Sequence, residues 1–428
     1  MDYDVVVIGA GTTGLAVSYE LCKKGYKILL IEKEKEVGGL LNCVPVGNSF
    51  VEVFYHHMFE SDKHLIKKLE ELKIKDKLEW KTASTAFLFE DGIYEMSSPL
   101  DILTFKPLNW IEKIKFIFFM LKIKFSSPEE LDEVSAKDWI ISKVGEEIYK
   151  KMFEPILKSK FGERMNEVSA AWFVERIKLR SNRGLSGEKL GYIKGSFKLL
   201  LDRLVEEIKR TGGEIALNTT IEKISVKNNR VTSIKINGKD ITCKYLVSTI
   251  PLQFLADFNI FDKNFSKKLK NIEYQGSLCI LVGMKKKLTE YYWINIQKNT
   301  AIGAIIEHTN FQPLKLYKNH LLYLASYPDR NSLIWNMSDD EIWKIYFSDL
   351  KKLFPKLKNS DVKWYKVFKG YNAGIIYKKG FKRHLLSYET PIKNLFIAGL
   401  FNMYPERSIN LSMKFGEEVA EIIDKHNH

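Results

Sequence analysis

Cysteine is scarce in this chain: Cys22, Cys43, Cys243 and Cys279 are the only four in 428 residues, and none stands in a CxxC spacing. Without such pairs there is neither a disulfide framework nor a zinc-ligand pattern. No metal site is expected, and a reducing compartment fits. Long uncharged apolar runs are also missing. The longest near the middle, residues 116–121, has about a third of the ~18 residues that a membrane span requires. The start, Met1-Asp2-Tyr3-Asp4, runs straight into an apolar strand and lacks the basic region of a signal peptide. The expectation is a cytoplasmic protein. Repeats, low-complexity linkers and nucleic-acid motifs are absent as well. The excess of 67 Lys+Arg over 53 Asp+Glu, net +14, is mostly Lys dispersed through amphipathic segments. That pattern describes a Lys-rich surface, and no nucleic acid is expected as a partner.

What is present is an ordinary globular composition, 45% hydrophobic and 28% charged, in a chain long enough for two or three domain-sized units. Residues 4–8 read as a buried strand, 9–14 as a turn, 15–24 as a helix and 27–32 as a second strand. Residues 62–144 read as mostly helical, 145–180 as helix and loop, and 181–195 as a glycine-punctuated stretch. An amphipathic helix follows at 196–211, stopped by Gly212-Gly213. Residues 221–226 and 230–236 alternate like a hairpin around Asn228-Asn229. Residues 245–250 form a strand, and 272–368 read as an antiparallel sheet with helices. A last strand at 395–398 leads into a helix beginning near Ile409.

Gly9-Ala10-Gly11-Thr12-Thr13-Gly14 is a GxGxxG with a strand before it and a helix after it. Gly9 permits the tight turn, Gly11 lets the backbone approach a pyrophosphate, and Gly14 lets helix and strand pack closely. The helix N-terminus then offers unpaired N–H donors to the phosphates. Glu32, at the end of the second strand, can accept both hydroxyls of an adenosine ribose. Gly38-Gly39 follows where a longer dinucleotide needs a second backbone approach, which favours FAD over NAD. A second GxGxxG is lacking, so no separate NADPH domain is expected.

These motifs, with Leu395-Phe396-Ile397-Ala398-Gly399 near the end, resemble the glutathione-reductase-type FAD superfamily. Within it they resemble the branch of amine oxidases, protoporphyrinogen oxidase and phytoene desaturases. Further segments sharpen the likeness: residues 54–59, 158–162, 176–180, 191–196, 305–310 and 404–407 look like a protoporphyrinogen-oxidase-like group associated with surface-glycan genes. The resemblance implies an α/β fold, a Rossmann-type FAD-binding domain interleaved with a substrate domain of antiparallel sheet plus helices. It implies FAD-binding parts at 1–75, 191–255 and 391–428, a mainly helical substrate or lid region at 76–190, and a substrate-domain sheet with helices at 256–390. The cofactor, noncovalent FAD, is then met by Gly9, Gly11, Thr12, Thr13 and Gly14, by Glu32 and Lys33, and by Gly38, Gly39 and Leu40. Ile221, Gly399 and the helix start at Ile409, Asn410 and Leu411 complete that set.

The same segments resemble, more distantly, UDP-galactopyranose mutase, a flavoenzyme without net redox chemistry. That likeness puts His57 beside the isoalloxazine and Arg180 in a sugar-nucleotide site. The chain departs from it at Phe161, Leu400 and Glu406, which stand where the mutase has Trp, Arg and a diphosphate-binding Tyr. Arg176 and Arg180 are one helical turn apart and can face one anionic group, so His57, Arg176 and Arg180 are the candidate catalytic residues. Glu307 and His308 form either an acid–base pair or a structural hydrogen bond, and Cys43 reads as packing. On a helix, Ile111, Ile114, Phe118, Leu121 and Phe125 share one face bordered by Lys113, Lys115, Lys122 and Lys124. Phe116, Met120 and Ile123 fill the other. This leaves a buried core helix open beside peripheral membrane contact through 108–125. The expected substrate is a small molecule, lipid- or nucleotide-linked, with hydride transfer between flavin N5 and a glycan- or isoprenoid-linked compound as the first reading and mutase chemistry as the second.

Overall fold

A computed structural model describes residues 1–180 and 187–427; residues 181–186 of the glycine-punctuated stretch lie outside the described residues. The strand Tyr3–Ile8 sits inside a parallel sheet because Val5, Val6 and Val7 are buried on both faces. A β-branched run covered on both sides needs no polar alternation. It pairs with Ile28–Ile31 on one side and Lys239–Ser248 on the other. Glu214–Ala216 and Leu395–Ile397 extend the sheet in parallel beyond those two strands. The hairpin of Ile221–Lys227 and Arg230–Ile236 adds an antiparallel wing. Asn228 (φ 51°) and Asn229 (φ 57°) make its turn in the left-handed region, where Asn is tolerated.

A second sheet runs in the order Val362–Ile375, Tyr274–Met284, His320–Ser326, Ala304–Glu307, Trp293–Ile296, Thr85–Phe89, Gly92–Glu95. Every residue of Tyr274–Met284 is buried, which accounts for its nearly unbroken apolar reading. The sheet is antiparallel except where Trp293–Ile296 meets Thr85–Phe89. Those last two strands correct the helical reading of 62–144. The helices Lys63–Glu71 and Trp110–Phe125 are present, but Leu78–Ala83, Thr85–Phe89 and Gly92–Glu95 are strands between them. The cause is local and tertiary together: Asp91-Gly92 turns a hairpin, and Ala86 and Leu88 are buried by it. Leu78–Ala83 pairs with Glu188–Ile193 instead.

The helix Trp110–Phe125 opens on a capping box. Asn109 accepts the Glu112 N–H at 3.0 Å, and Glu112 accepts the Asn109 N–H at 2.8 Å. Phe119 and Ile123 turn inward and Phe116 and Met120 are half-buried, while Ile111 (68% exposed), Phe118 (67%) and Phe125 (83%) face outward. The helix is therefore not a buried core helix. Lys113, read as a border residue, is buried and donates to the Leu103 carbonyl at 2.7 Å. Among the described residues no helix is long and apolar enough to cross a membrane.

The first helix, Thr12–Lys23, packs against the last, Ile409–Asn427, with almost no space between backbones. A Cβ on Gly416 would lie 2.5 Å from the Ala16 Cβ and 2.7 Å from the Ala16 carbonyl carbon. Gly416→Val must push the helices apart at an overpacking cost of about 1–3 kcal/mol. The expected outcome is a lower urea midpoint; an unchanged midpoint would mean that this crossing does not hold the fold.

Candidate active site

The glycine motif builds a cradle by three different means. Gly9 adopts φ 96°, and a side chain on Gly14 would come within 1.9 Å of the Gly9 carbonyl oxygen. Those two are glycine for packing. Gly11 is glycine for access: it caps the helix Thr12–Lys23, and a Cβ there would meet nothing within 4 Å. The open space above it, at the end of a helix with unpaired N–H groups, suits a pyrophosphate. Gly38 (φ 114°) donates its N–H to the Ala10 carbonyl at 2.7 Å, and a Cβ on Gly39 would lie 3.2 Å from the Gly11 Cα. The chain thus lays the Gly38-Gly39 doublet directly against the first motif.

Glu32 is held over the same loop. One carboxylate oxygen accepts the Ala10 N–H at 2.7 Å, the other the Glu34 N–H at 3.0 Å. Each oxygen keeps a lone pair for a ribose hydroxyl. The Thr219 N–H donates to the Glu32 carbonyl at 2.9 Å, which brings the strand beginning at Ile221 alongside. Thr13 is buried in the helix, whereas Lys33 turns outward, 3.4 Å from Glu34 and mostly exposed.

The far end of the sequence returns to this place. Gly399, just beyond Leu395–Ile397, donates its N–H to Asn402 at 3.0 Å. Ile409, Asn410 and Leu411 form the first turn of the last helix. Asn410 accepts the Leu65 N–H at 3.0 Å, and the Leu411 N–H donates to the Ser408 hydroxyl at 3.1 Å. The Thr12 and Ser412 hydroxyls bond at 2.9 Å, so the first turns of both helices meet.

Beside that junction lies a cavity of about 180 Å³, whose wall includes Thr12, Leu40, Tyr55, His57, Lys160, Arg176, Tyr327, Leu400, Glu406, Arg407 and Ile409. His57 packs edge-on against Phe59 and Trp293. Burial, with Arg180, Arg176 and His56 around it, holds its imidazole well below the ordinary pKa, so it is neutral. Burial likewise brings His56 down to about 4, where its Nδ1 lies 2.6 Å from the Phe54 carbonyl. Arg176 faces Glu406 at 3.8 Å, an ion pair without a hydrogen bond. Arg180 is placed differently from the expectation of two guanidinium groups on one anion. It ends its helix stacked on Trp293, 4.8 Å from the ring centroid, outside the cavity wall. Trp293 in turn packs edge-on against His57, with ring centroids 6.4 Å apart.

Several wall residues escaped the sequence reading. Lys160 enters from the helix Glu154–Phe161, and the Tyr55 and Tyr327 hydroxyls bond at 2.7 Å across 272 residues. Nothing local marks Lys160 apart from the neighbouring Lys158, which is exposed. Glu307 and His308 are structural. Glu307 accepts the Leu288 and Thr289 N–H groups at 2.8 and 2.7 Å, His308 Nε2 lies 2.9 Å from the Tyr317 hydroxyl, and neither lines the cavity. The buried Cys43 thiol donates to the Leu41 carbonyl at 3.3 Å, and burial raises its pKa.

Comparison with known proteins agrees with this architecture. The model of the flavin-containing amine oxidoreductases matches residues 12–423. The chain belongs to that family. It is an FAD-dependent oxidoreductase. A 15-cis-phytoene desaturase from Capsicum annuum is 25% identical over 92% of this chain and 73% of its own. Two solved structures share the fold. An oxidoreductase from Methanosarcina mazei has a TM-score of 0.76 at 18% identity, covering 98% of this chain and 100% of its own. A reduced UDP-galactopyranose mutase has 0.77 at 15%, covering 99% and 96%.

Two substitutions separate the cradle's parts. Gly11→Val points a side chain into open space, so the expected product is a stable, colourless protein that FAD does not reconstitute. Hydrogen bonds to a charged group are worth about 1.5–3 kcal/mol. Glu32→Ala is therefore expected to weaken FAD binding about tenfold or more, measured by equilibrium dialysis, with the bound flavin spectrum unchanged. Unaltered affinity would place the ribose elsewhere.

Proposed function

We propose that this oxidoreductase acts on an amphiphile drawn from a membrane surface, an isoprenoid- or glycan-linked compound whose polar end enters the cavity at the helix junction. One observation carries the membrane half of this reading. Trp110, Ile111, Ile114, Phe118, Leu121 and Phe125 are exposed together on one helix, with Leu100 and Leu103 exposed just before it. An isolated apolar side chain on a surface means little, but a continuous helical face needs an occupant. Lys115, Lys122 and Lys124 are exposed along the same helix. Lysines bordering an apolar face, on a chain of net charge +14, suit an anionic bilayer. The family's phytoene desaturases, whose named substrate is an isoprenoid, support the lipid-linked choice.

Bound FAD supplies a two-electron acceptor or donor. The protein supplies the setting. In this reading the first turn at Ile409, Asn410 and Leu411 stabilises negative charge through its N–H groups and helix dipole. His57, neutral, donates or accepts one hydrogen bond without adding charge. Arg176 orients the polar end of the substrate, and Arg180 positions Trp293 and, through it, His57. A non-redox reaction on a nucleotide sugar finds less support. Leu400 offers no donor to a diphosphate, and Glu406 adds a carboxylate to the wall.

The test is photoreduction of the holoenzyme without oxygen, then addition of polyprenyl lipids or nucleotide sugars presented on vesicles. Reoxidation by a lipid-linked compound supports the proposal; isomerised nucleotide sugar with no net change in flavin oxidation state overturns it. Docking is read separately by sedimentation with phosphatidylglycerol vesicles. Phe118→Glu with Leu121→Glu is expected to weaken it about tenfold or more, since burying each side chain is worth roughly 1.5–3 kcal/mol. If wild-type protein ignores vesicles and the double variant instead changes a dimer into a monomer, the face is a protein interface.

A further inference from the structure

Among the described residues, no carboxylate lies within ion-pair distance of Lys160 at the cavity. Its helix, Glu154–Phe161, brings the ammonium into the wall, where it lies 4.9 Å from the Tyr327 ring centroid, 5.1 Å from Trp172 and 5.8 Å from Phe161. Among the described residues its Nζ has no hydrogen-bond or ion-pair partner. The charged groups that act on it come from two other segments. Arg176 and Arg180 belong to the helix Ala170–Leu179 and its end, and Glu406 and Arg407 precede the last helix. Glu406 is the single carboxylate among them. It is already engaged, opposite Arg176 at 3.8 Å and accepting the Arg407 N–H at 3.1 Å. Three aromatic faces soften a lysine's desolvation but do not neutralise it.

We propose that Lys160, with Arg176, is the seat for one oxyanion of the substrate, a carboxylate or a phosphate, and that Lys160 takes up a proton when this anion binds. The inference rests on the cavity being the reaction site and adds what the substrate must carry there. An uncharged polyene end leaves Lys160 unanswered, and an ammonium end is repelled by Lys160 and Arg176 together. Burial and the three arginines lower the Lys160 pKa well below its ordinary value. In the empty site the amine therefore loses its proton more readily than a free lysine. An arriving anion favours the ammonium, a proton enters from solvent, and the contact formed is N–H⁺ to O⁻. No covalent bond changes. The sign follows: affinity is greatest at low pH and falls as pH rises through the pKa of the liganded lysine. Where a full proton is taken up, it falls by roughly tenfold per unit.

The experiment uses oxidised holoenzyme and two probes that do not titrate between about pH 6.5 and 9. Acetate stands for a carboxylate and sulfate for a tetrahedral anion. Binding is read as a flavin difference spectrum, and proton uptake with an indicator dye in weak buffer. Saturable binding of one probe, tighter at low pH and accompanied by proton uptake, is the expected result, and which probe binds names the source. Lys160→Met is expected to lose at least tenfold in affinity. Lys160→Arg is expected to keep binding within about threefold but to lose the proton uptake, because arginine stays charged. A purely structural lysine would not separate those two readouts. The inference fails if neither probe binds to yellow, reducible holoenzyme, or if Lys160→Met changes FAD affinity while the anion response persists. In both cases the oxidoreductase reading survives. A protein that cannot be reconstituted with FAD would instead sink that reading.

Discussion

The crossing of the first and last helices is the constraint on which the site depends. Ala16 and Gly416 let two backbones touch, and the Thr12 and Ser412 hydroxyls then bond across 400 residues of sequence. Two helix N-termini are thereby fixed at one place, each with donors that its own helix cannot satisfy. A dinucleotide with its pyrophosphate in the middle and an electron-accepting ring at one end can use both. The parallel sheet beneath supplies the same alignment, since Tyr3–Ile8 and Leu395–Ile397 both pair with Lys239–Ser248 and end on the same side. Brought together this way, the segment before the last helix carries Glu406 and Arg407 into the cavity wall.

That wall is electrostatically expensive. One oxygen of the buried Glu406 has no hydrogen bond among the described residues, and its ion pair with Arg176 is longer than a hydrogen bond. Leaving such a group unsatisfied costs about 1–3 kcal/mol, and a buried pair rarely recovers the desolvation of both charges. His56 and His57 avoid this cost by remaining neutral, as desolvation and neighbouring arginines require. The Arg176–Glu406 gap supports the proposed reading of a wall that a bound ligand completes.

How much was legible in the sequence follows from the range of the forces involved. The GxGxxG, Glu32 and the Gly doublet are read from short spacings, because turn geometry and helix ends are local. The split faces of 110–125 were legible for the same reason, though not which face stays exposed. Residues 78–95 were misread as helical because their strand partners are distant: Thr85–Phe89 pairs with Trp293–Ile296, some two hundred residues away, and Leu78–Ala83 with Glu188–Ile193. The Tyr55–Tyr327 pair and the placement of Lys160 were beyond a local reading, since both depend on how distant segments pack. Arg180 shows a subtler limit. Its spacing from Arg176 was right, but Trp293 competes for the guanidinium, and no spacing rule includes a ring from another strand.

The same packing joins the exposed helix to the charged wall. Phe119 turns inward from Trp110–Phe125 and meets Phe153 at 5.5 Å and Phe173 at 6.3 Å, while Phe153 and Phe173 meet at 5.5 Å. Phe153 immediately precedes the helix bearing Lys160, and Phe173 lies on the helix bearing Arg176, where Trp172 stacks edge-on against Phe161 at 4.8 Å. Aromatic cores at protein density transmit displacement instead of absorbing it. The exposed helix is thus joined, through one layer of rings, to the two helices that bear Lys160 and Arg176. If that face docks on a lipid surface as proposed, docking and anion recognition are coupled through one packed layer of rings.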